Sequence, residues 1–452
     1  MIPRLFGTNG IRGVVGESLT ADLALCVGCA VGTHFGGGEV AVARDTRTSG
    51  RMLRDAVVSG ILGAGCDVTD IGVAPTPCLQ RFVVRRGNLS GGVVVTASHN
   101  PPEYNGIKVV DSLGIEIPRD REETIERICA ERSFAAAPWD RIGHAREDSL
   151  AIPAYVHDVV ARVDADAIRR RAFRVVLDPG NGAACLTSPA VLGALGCRVV
   201  TLNGHPDGAF PGRPPEPTPD NLAGLLRVVV ETHADLGVAH DGDADRAIFV
   251  DERGRYVQGD QSLALLAREA VRGRGGTVVT PVSSSSCIED VVVGEGGTVH
   301  YTRIGAPIVA RTMYETGATF GGEENGGAIF PEHQFARDGA MAMAKLLELL
   351  ARAARPLSAL LDELPAYALH KLAVPVPDGY QERILAALVR SLAGRDVSTI
   401  DGVKLREPDG WVLMRPSGTE AIFRVFAEAR TAERAQSLAE QGAQLVRDAA
   451  KA

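Results

Sequence analysis

The chain has 452 residues, of which 45% are hydrophobic and 23% are charged, a composition typical of a globular protein with several domains. Its formal net charge of −8 argues against a nucleic-acid binder, which usually presents a basic face. No apolar run approaches the ~18 residues that span a bilayer, and the first residues lack the apolar stretch of a secretory signal, so we expect a cytoplasmic protein that binds no membrane.

Short runs rich in Val and Ile alternate with longer helical patterns as far as residue 365. The strand-like runs include residues 40–43, 92–95, 175–177, 199–202, 236–239, 248–250 and 278–280. The helical patterns include residues 20–32, 49–65, 188–196 and 260–271. This alternation predicts α/β units with mixed, largely parallel sheets. The stretch 203–221 is rich in Pro and Gly and is expected to be a long surface loop.

After Pro365 the pattern changes to that of a small antiparallel sheet with helices. Strands are predicted at residues 372–376, 411–414 and 422–427, and helices at residues 380–392 and 432–451. We therefore predict three similar α/β domains and a smaller α+β domain at the C-terminal end. Their predicted bounds are residues 1–150, 151–251, 252–365 and 366–452.

The first loop that could carry catalytic residues is TASHNPPEYNGIK, residues 96–108, after the predicted strand 92–95. A serine at a strand end, here Ser98, can act as a nucleophile when a base or a metal ion activates it, although Ser, Asn and Pro are also ordinary turn residues. Lys108 favours a catalytic loop over an ordinary turn. Only five of the 48 basic residues are lysines, so a lysine here suggests a role that arginine cannot fill. Lysine, unlike arginine, can release its proton when its surroundings lower its pKa, as proton transfer with a sugar hydroxyl requires.

The second loop is HDGDADR, residues 240–246. Its three aspartates at alternate positions, Asp241, Asp243 and Asp245, make an oxygen-rich site suited to Mg²⁺ or Ca²⁺. An EF-hand is disfavoured, because Arg246 stands at the sixth position, where that loop needs glycine, and because the flanking segments are strand-like. A solvated acidic turn remains the alternative, but three close carboxylates repel one another unless a cation offsets their charge.

Two further loops show weaker patterns. The run GGEENGG, residues 321–327, offers Glu323 and Asn325 as partners for sugar hydroxyls. The run RPSGTE, residues 415–420, combines an arginine, hydroxyls and backbone N–H groups in an anion nest suited to phosphate. Each run alone is equally compatible with a plain turn. Four loops of complementary chemistry, one in each predicted domain, indicate an enzyme that transfers a phosphoryl group within a sugar phosphate.

These loops, in this order and at these separations, resemble those of the α-D-phosphohexomutase superfamily, which includes phosphoglucomutases, phosphomannomutases and phosphoglucosamine mutases. The runs FGTNGIRG at residues 6–13 and RDTR at residues 44–47 are similar to further signatures of that family. The resemblance covers essentially the whole chain and implies four domains around a central cleft. It also implies an isomerase that interconverts a hexose 6-phosphate and a hexose 1-phosphate through a phosphoserine enzyme and a hexose 1,6-bisphosphate.

The resemblance implies roles for individual residues in binding this small-molecule sugar phosphate. The catalytic residues would be Ser98, Lys108, Arg12 and His99. One Mg²⁺ per chain would be bound by the Ser98 phosphate together with Asp241, Asp243 and Asp245. The substrate-binding residues would be Arg246, Glu323, Asn325, Arg415, Ser417, Gly418 and Thr419.

Two departures from the family patterns bear on which sugar phosphate is the substrate. Bacterial members commonly have G-E-x-S-G-H at the third loop, whereas Asn325 here replaces the serine and Gly327 the histidine, in a form similar to archaeal members. The fourth loop, SGTE at residues 417–420, is more similar to phosphoglucosamine mutases than to the S-N-T form of phosphomannomutases. We expect glucosamine phosphate, with mannose or glucose phosphate as alternatives. A metal-dependent sugar phosphatase and a non-catalytic sugar-phosphate sensor are the alternatives from other functional classes.

Overall fold

A computed structural model describes residues 4–417 and 420–451. These residues form four successive units, each built on its own sheet, and the sheets have six, four, four and five strands. One hydrophobic cluster runs through the first three units, and it includes Val94, Val175 and Val278. The fourth unit has a separate core around Val425. No helix in the described part of the chain is both long and apolar enough to cross a bilayer.

The first unit carries a mixed six-stranded sheet of order β1-β5-β4-β2-β3-β6. Its strands are β1 Ile11–Val14, β2 Glu39–Arg44, β3 Asp67–Val73, β4 Gly91–Val95, β5 Tyr104–Asp111 and β6 Ala145–Glu147. Its helices are α1 Ala21–Phe35, α2 Gly50–Gly63, α3 Thr76–Arg86 and α4 Arg119–Glu131. Strands β2, β3, β4 and β6 are parallel, whereas β5 runs antiparallel to β4 and β1.

The second unit has a four-stranded sheet of order β10-β9-β7-β8, antiparallel only at β10. Its strands are β7 Arg174–Asp178, β8 Arg198–Thr201, β9 Leu236–His240 and β10 Ala247–Val250. Its helices are α5 Ala151–Val160, α6 Ala165–Arg171, α7 Ser188–Ala194 and α8 Ala223–Glu231. Two short 3₁₀ helices lie at Ala183–Leu186 and Asp220–Leu222.

The third unit has a sheet of order β12-β11-β13-β14, again antiparallel only at its last strand. Its strands are β11 Thr277–Pro281, β12 Thr298–Thr302, β13 Phe320–Glu323 and β14 Gly327–Ile329. Its helices are α9 Gly259–Val271, α10 Ser286–Gly294, α11 Ala306–Thr316, α12 Gly339–Ala353 and α13 Leu357–Leu361.

The fourth unit is an antiparallel sheet of order β15-β19-β18-β17-β16 with two helices. Its strands are β15 Ala368–Pro375, β16 Val397–Ser398, β17 Val403–Glu407, β18 Gly410–Pro416 and β19 Ile422–Ala429. Its helices are α14 Gln381–Ser391 and α15 Ala432–Lys451. The predicted change from parallel to antiparallel architecture after Pro365 is therefore confirmed.

The first three units share one strand order. The four strands β5-β4-β2-β3, β10-β9-β7-β8 and β14-β13-β11-β12 follow the same path, with the antiparallel strand directly after the third parallel one. The predicted set of three similar α/β domains is confirmed by this repeat. The loops that carry Ser98, Asp241 and Glu323 leave the equivalent strands β4, β9 and β13 at their carboxyl ends, which is where open α/β sheets bind ligands.

The stretch 203–221 was predicted to be a surface loop. Its middle part is irregular and has exposed residues such as Pro211 and Pro214, but two of its large side chains are buried. Phe210 is 5% exposed and its ring lies 5.1 Å below the guanidinium carbon of Arg47 in the first unit. Arg213 is buried too, where it pairs with Asp178 at 2.9 Å. Proline and glycine predict an irregular backbone correctly, but they carry no information about which neighbouring unit covers that backbone.

A buried polar network joins the first three units around Asp338. The Tyr155 hydroxyl of the second unit donates to Asp338 Oδ1 at 2.6 Å. Gln334 Nε2 donates to Asp338 Oδ2 at 2.9 Å and to the Pro77 carbonyl of the first unit at 3.1 Å. Asp338 also caps α12, because its Oδ1 accepts from Met341 N at 2.9 Å. The network therefore fixes the three α/β units against one another.

Polar side chains of the fourth unit, among them Trp411, Glu428 and Lys404, contact the third unit. Trp411 Nε1 donates to Ser286 Oγ at 3.1 Å, and Ser286 N donates to Glu428 Oε1 at 2.8 Å. Lys404 Nζ donates to the Val282 carbonyl at 2.7 Å and lies 3.9 Å from the centre of a Trp411 ring. Burial lowers the pKa of Lys404 to about 8. Val282 of the third unit also packs with Trp411 and Leu413 in an apolar cluster, so the contact has both polar and apolar parts.

Replacing Asp338 by alanine is expected to lower the free energy of unfolding by about 3 kcal/mol, since buried donors lose their acceptor and α12 loses its cap. Asp164→Ala is the matched control, because Asp164 caps α6 at an exposed position through Ala167 N; its cost should be about 1 kcal/mol. Urea unfolding followed by circular dichroism measures both. Equal losses would show that the network around Asp338 adds nothing beyond the cap.

Candidate active site

Ser98 follows β4 in a strained, fully buried turn. Its φ of 51° lies in the left-handed region, and its side chain is 0% exposed. Such a backbone costs on the order of 1 kcal/mol for a residue other than glycine. Ser98 Oγ donates to Asp241 Oδ2 at 2.7 Å and lies 3.3 Å from His99 Nδ1. The hydroxyl is therefore fixed against the acidic loop of the second unit.

Arg47 organises the backbone of this turn from underneath. Its buried guanidinium donates to the carbonyl oxygens of Ser98, Asn100, Pro101 and Tyr104 at distances from 2.6 to 2.9 Å. Its Nε pairs with Asp45 Oδ2 at 3.1 Å. The sequence marks Arg47 as part of a signature but assigns it no role, because carbonyl acceptors far along the chain leave no trace in a local pattern.

The three aspartates of the second loop form a compact buried cluster. Asp241 and Asp243 are 0% exposed and Asp245 is 2% exposed, and each offers a ligand oxygen within 4.8 Å of the others. Gly242 allows the close approach of the serine loop, since a Cβ there would lie 2.4 Å from the Ser98 carbonyl oxygen. The predicted nucleophile and the predicted metal ligands therefore lie in one place.

Nearby cations stabilise two of the three carboxylates: against the effect of burial, Lys108 lowers the pKa of Asp243 and Arg337 lowers that of Asp245. Burial and the charges of Asp245 and Asp243 raise the pKa of Asp241 to about 8. Asp243 Oδ1 and Asp245 Oδ1 are buried without a hydrogen-bond partner. Unpartnered buried carboxylate oxygens are costly, and a divalent cation is the ligand that would satisfy both. The residues present thus fit a hard metal ion.

Lys108 lies on β5 rather than in the loop where its sequence context placed it. It is 1% exposed, and Nζ donates to Asp243 Oδ2 at 2.9 Å and contacts Asp245 Oδ2 at 3.4 Å. The sequence argument required a lowered pKa, and the structure shows the opposite direction. Burial alone would lower the pKa of Lys108, but the carboxylates of Asp243 and Asp245 outweigh it and raise that pKa. Lys108 is therefore held as an ammonium ion.

Arg12, His99 and Arg246 surround the serine on its remaining side. Arg12 lies on β1 and its Nη1 donates to Asn100 Oδ1 at 2.6 Å. Arg246 Nη2 lies 3.1 Å from His99 Nδ1, which must be an acceptor because a guanidinium can only donate. Burial, followed by the charges of Arg246 and Arg12, lowers the pKa of His99 to about 3. The imidazole is therefore neutral beside the serine.

The third loop is a tight hairpin between β13 and β14. Glu323 ends β13; its Oε2 accepts from Arg337 Nη1 at 2.8 Å and its Oε1 from Gly305 N at 3.2 Å. Asn325 lies half-buried in the turn, where its Oδ1 accepts from Gly327 N at 3.2 Å. Arg337 also pairs with Asp245, so the hairpin adjoins the acidic cluster. The sequence analysis missed Arg337, because a single arginine outside the loops matches no pattern.

The fourth loop borders a cavity of about 570 Å³ between the first, third and fourth units. Arg415 Nε donates to Asp401 Oδ2 at 2.7 Å, and Asp401 Oδ2 also accepts from Ile304 N at 3.0 Å. The arginines that line this cavity are Arg4, Arg119, Arg303, Arg311, Arg415 and Arg424. Ser417 lines it as well, whereas Gly418 and Thr419 lie outside the described residues. This wall suits an anionic group.

Glu116 connects the cavity with the acidic cluster, and the sequence analysis missed it as well. It lines the cavity and also a small gap beside Asp245 and Arg337. In the amide orientation that satisfies both neighbours, Asn9 donates to Glu116 Oε1 at 2.7 Å and accepts from Arg337 Nη2 at 3.1 Å. Glu116 therefore lies between the cavity beside the fourth loop and the acidic cluster.

Family models cover nearly the whole chain. They are described as "Phosphoglucomutase/phosphomannomutase", with alpha/beta/alpha domain I matching residues 3–136, domain II residues 153–254, domain III residues 258–367 and the C-terminal domain residues 372–445. The match of three α/β models and a distinct C-terminal model agrees with the four units of the fold.

Full-length relatives and solved structures are similar as well. A "Phosphoglucomutase/phosphomannomutase" of Thermococcus kodakarensis is 45% identical over 99% of both chains. A "Probable phosphoglucosamine mutase" of Methanopyrus kandleri is 44% identical over 98% of both chains. The crystal structure of a phosphoglucomutase/phosphomannomutase family protein from Burkholderia thailandensis superposes with a TM-score of 0.88 at 32% identity, covering 99% of this chain and 98% of that one.

A divalent metal ion, tested as Mg²⁺, is expected to raise the melting temperature of chelator-treated protein. Binding at a hundredfold excess over Kd contributes about 2.7 kcal/mol to the folded state. Asp243→Asn should reduce the shift, because one ligand and its charge are lost, whereas the exposed control Asp140→Asn should retain it. Differential scanning fluorimetry measures the shifts. A Mg²⁺ effect that Asp243→Asn leaves intact would place the ion elsewhere.

Proposed function

The chain belongs to the phosphoglucomutase/phosphomannomutase family and is a phosphohexomutase of the isomerase class, and we propose that it interconverts glucosamine 6-phosphate and glucosamine 1-phosphate with Ser98 as the covalent carrier. The main support is the 2.7 Å contact of Ser98 Oγ with Asp241, in a cluster whose two unpartnered carboxylate oxygens fit a metal ion. A nucleophile next to a metal site is what phosphoryl transfer requires.

We propose one Mg²⁺ per chain, held by Asp241, Asp243 and Asp245 together with the phosphate on Ser98. When bound, the ion would withdraw negative charge from the phosphoryl group as it transfers. Lys108 and Arg12 would supply further positive charge, and the raised pKa of Lys108 favours its role as a charged donor. A preorganised set of cations around the reacting oxygens is the main means of catalysis in such reactions.

The reaction consists of two transfers in opposite directions. In the first, the bond between phosphorus and Ser98 Oγ breaks while a bond from phosphorus to a free hydroxyl oxygen of the sugar forms. The hydroxyl proton passes to Ser98 Oγ. The product, a hexose 1,6-bisphosphate, turns over in the cleft. In the second transfer the bond between its other phosphorus and the sugar oxygen breaks while a bond from that phosphorus to Ser98 Oγ forms, and the Ser98 hydroxyl proton passes to the sugar oxygen. This restores the phosphoserine and releases the isomeric monophosphate.

The remaining site residues are proposed to bind the substrate. Arg415 and Ser417, with Gly418 and Thr419 of the same loop, would hold the phosphate that does not react. Glu323 and Asn325 would contact the sugar hydroxyls, and Arg246 would contact the phosphoryl group beside His99. The cavity of about 570 Å³ supports the phosphate-binding part of this arrangement, since Arg415 and Ser417 line it together with five further arginines.

The choice of glucosamine phosphate is based on the fourth loop and on a relative. The run SGTE at residues 417–420 is of the type found in phosphoglucosamine mutases. The Methanopyrus kandleri relative, 44% identical over 98% of both chains, carries that name. Mannose and glucose phosphates are the second candidates, because the Thermococcus kodakarensis relative carries the phosphoglucomutase/phosphomannomutase name.

Ser98→Ala is expected to lower kcat for the conversion of 6-phosphate to 1-phosphate by at least about 10³-fold, because the covalent carrier is lost. Ser59→Ala changes an exposed serine on α2 and serves as the matched control. A coupled assay for the 1-phosphate measures both variants, and circular dichroism checks their folding. An unchanged rate in folded Ser98→Ala protein would refute the proposed role of this serine.

The other functional classes give different outcomes with the same preparations. A sugar phosphatase would release inorganic phosphate in proportion to substrate consumed, whereas a mutase releases almost none. A sensor would bind sugar phosphate without a phosphoserine on the protein. Intact-mass spectrometry of the parent and of Ser98→Ala protein detects that phosphate and its discharge by substrate.

Specificity constants on one preparation are expected to rank glucosamine 6-phosphate above glucose 6-phosphate and mannose 6-phosphate. A margin of about tenfold or more is expected, since leaving one site group without its partner typically costs that much. A coupled assay with each sugar at several concentrations gives kcat/KM directly. A higher kcat/KM for mannose or glucose phosphate would overturn the assignment of the sugar while retaining the mutase.

A further inference from the structure

Arg337 is a buried arginine that joins two of the catalytic loops. It is 5% exposed, and its forked guanidinium donates through Nη1 to Glu323 Oε2 at 2.8 Å and through Nη2 to Asp245. Glu323 ends the hairpin strand of the third unit, and Asp245 belongs to the acidic loop of the second. One planar group thus sets the relative position of a proposed sugar ligand and a proposed metal ligand.

The backbone of Arg337 is itself fixed. It forms an antiparallel bridge with Ile329 of β14, and the next residue, Asp338, donates its N–H to the Ala328 carbonyl at 3.1 Å. Asp338 is also the cap of α12 and the centre of the junction between the first three units. Arg337 therefore projects from a rigid base, which is the condition for holding other side chains in place.

Gly327 makes the room that Arg337 occupies. A Cβ at position 327 would lie 2.2 Å from Arg337 Cδ and 3.0 Å from Arg337 Cγ, so no larger residue fits while the arginine stays in place. Its third contact, with Asn325 Oδ1 at 3.1 Å, is mild. The aliphatic part of the Arg337 side chain therefore fills the space that a side chain at position 327 would need.

We propose that Arg337 is a positioning residue of the mutase: it holds Glu323 in the orientation that contacts the sugar and links that orientation to Asp245 in the metal loop. The inference rests on the proposed function of the site. Two oxygens of Glu323 are fixed by separate donors, Arg337 Nη1 and Gly305 N. Without Arg337, one of these fixed points is lost, and Asp245 loses a neighbouring positive charge.

Two consequences separate this role from a general contribution to folding. The loss of a fixed Glu323 weakens sugar binding, so KM for the sugar phosphate should rise more than kcat falls. The loss of positive charge beside Asp245 increases the negative charge of the cluster, so Mg²⁺ should stabilise the variant more than it stabilises the parent. Replacing a residue that merely supports the fold would change neither KM relative to kcat nor the stabilisation by Mg²⁺ relative to the parent.

The first experiment compares parent, Arg337→Ala, Arg337→Lys and the exposed control Arg352→Met, which lies on α12. For Arg337→Ala we expect KM to rise about tenfold, kcat to fall about threefold or less, and the melting-temperature shift by Mg²⁺ to increase. Arg337→Lys keeps the charge but cannot bridge two carboxylates, so its Mg²⁺ shift should return toward the parent value while KM stays raised. Arg352→Met should match the parent.

The second experiment uses Gly327→Ala alone and in combination with Arg337→Ala. Gly327→Ala displaces the arginine and should raise KM to a similar extent as Arg337→Ala. In the double variant the space is free, so its KM should equal that of Arg337→Ala within about twofold rather than the product of both effects. Circular dichroism and the chelator-treated melting temperature verify that each variant is folded.

The outcomes decide between the proposals. A KM unchanged in Arg337→Ala, or effects of the two substitutions that multiply, would overturn the positioning role. An inactive parent would refute the mutase assignment instead. In that case the Mg²⁺ shifts of Arg337→Ala and Arg337→Lys still decide the link to Asp245, because they need no turnover. Equal Mg²⁺ shifts in all variants would refute that link.

Discussion

Buried charge is the constraint on which the rest of this structure depends. Asp241, Asp243, Asp245 and Glu323 are all buried at one place, and they meet three buried cations, Lys108, Arg246 and Arg337. In such a setting each unpaired charge is costly, because water cannot screen it. The cations therefore explain how the carboxylates can be buried at all. The buried oxygens of Asp243 and Asp245 that lack a hydrogen-bond partner are where a metal ion could bind.

The repeated strand order brings these charges together. Each of the first three sheets ends its third parallel strand with a loop and returns antiparallel, so that β4, β9 and β13 present their loops at equivalent edges. The network around Asp338 fixes the three units, and the turn of Ser98 is then held by Arg47 from its own unit and by Phe210 below that arginine. The relative placement of these loops is thus a property of the packing between units, and the fourth unit is attached to the third by polar and apolar contacts.

The sequence predicts the local features well. Alternating strand and helix patterns predict the α/β units. The three aspartates of residues 241–245 are predicted to lie together because they alternate within one short loop after a strand. Lys108 was singled out for an expected low pKa, and the structure reverses that reason, since the sequence cannot show the two carboxylates that raise its pKa. Arg337 contacts Asp245 and Arg47 contacts the Ser98 carbonyl across more than fifty residues of chain, so no local pattern predicts these contacts. The burial of Phe210 was missed because its cover comes from another unit.

The left-handed turn at Ser98 has a consequence for how this protein changes under selection. Glycine adopts a φ of 51° without the cost that serine bears, so a glycine at this position would relax the turn and stabilise the fold. It would also remove the hydroxyl that contacts Asp241. A variant with glycine at this position would therefore gain backbone stability while losing the hydroxyl, so at this turn stability and the proposed chemistry favour different residues.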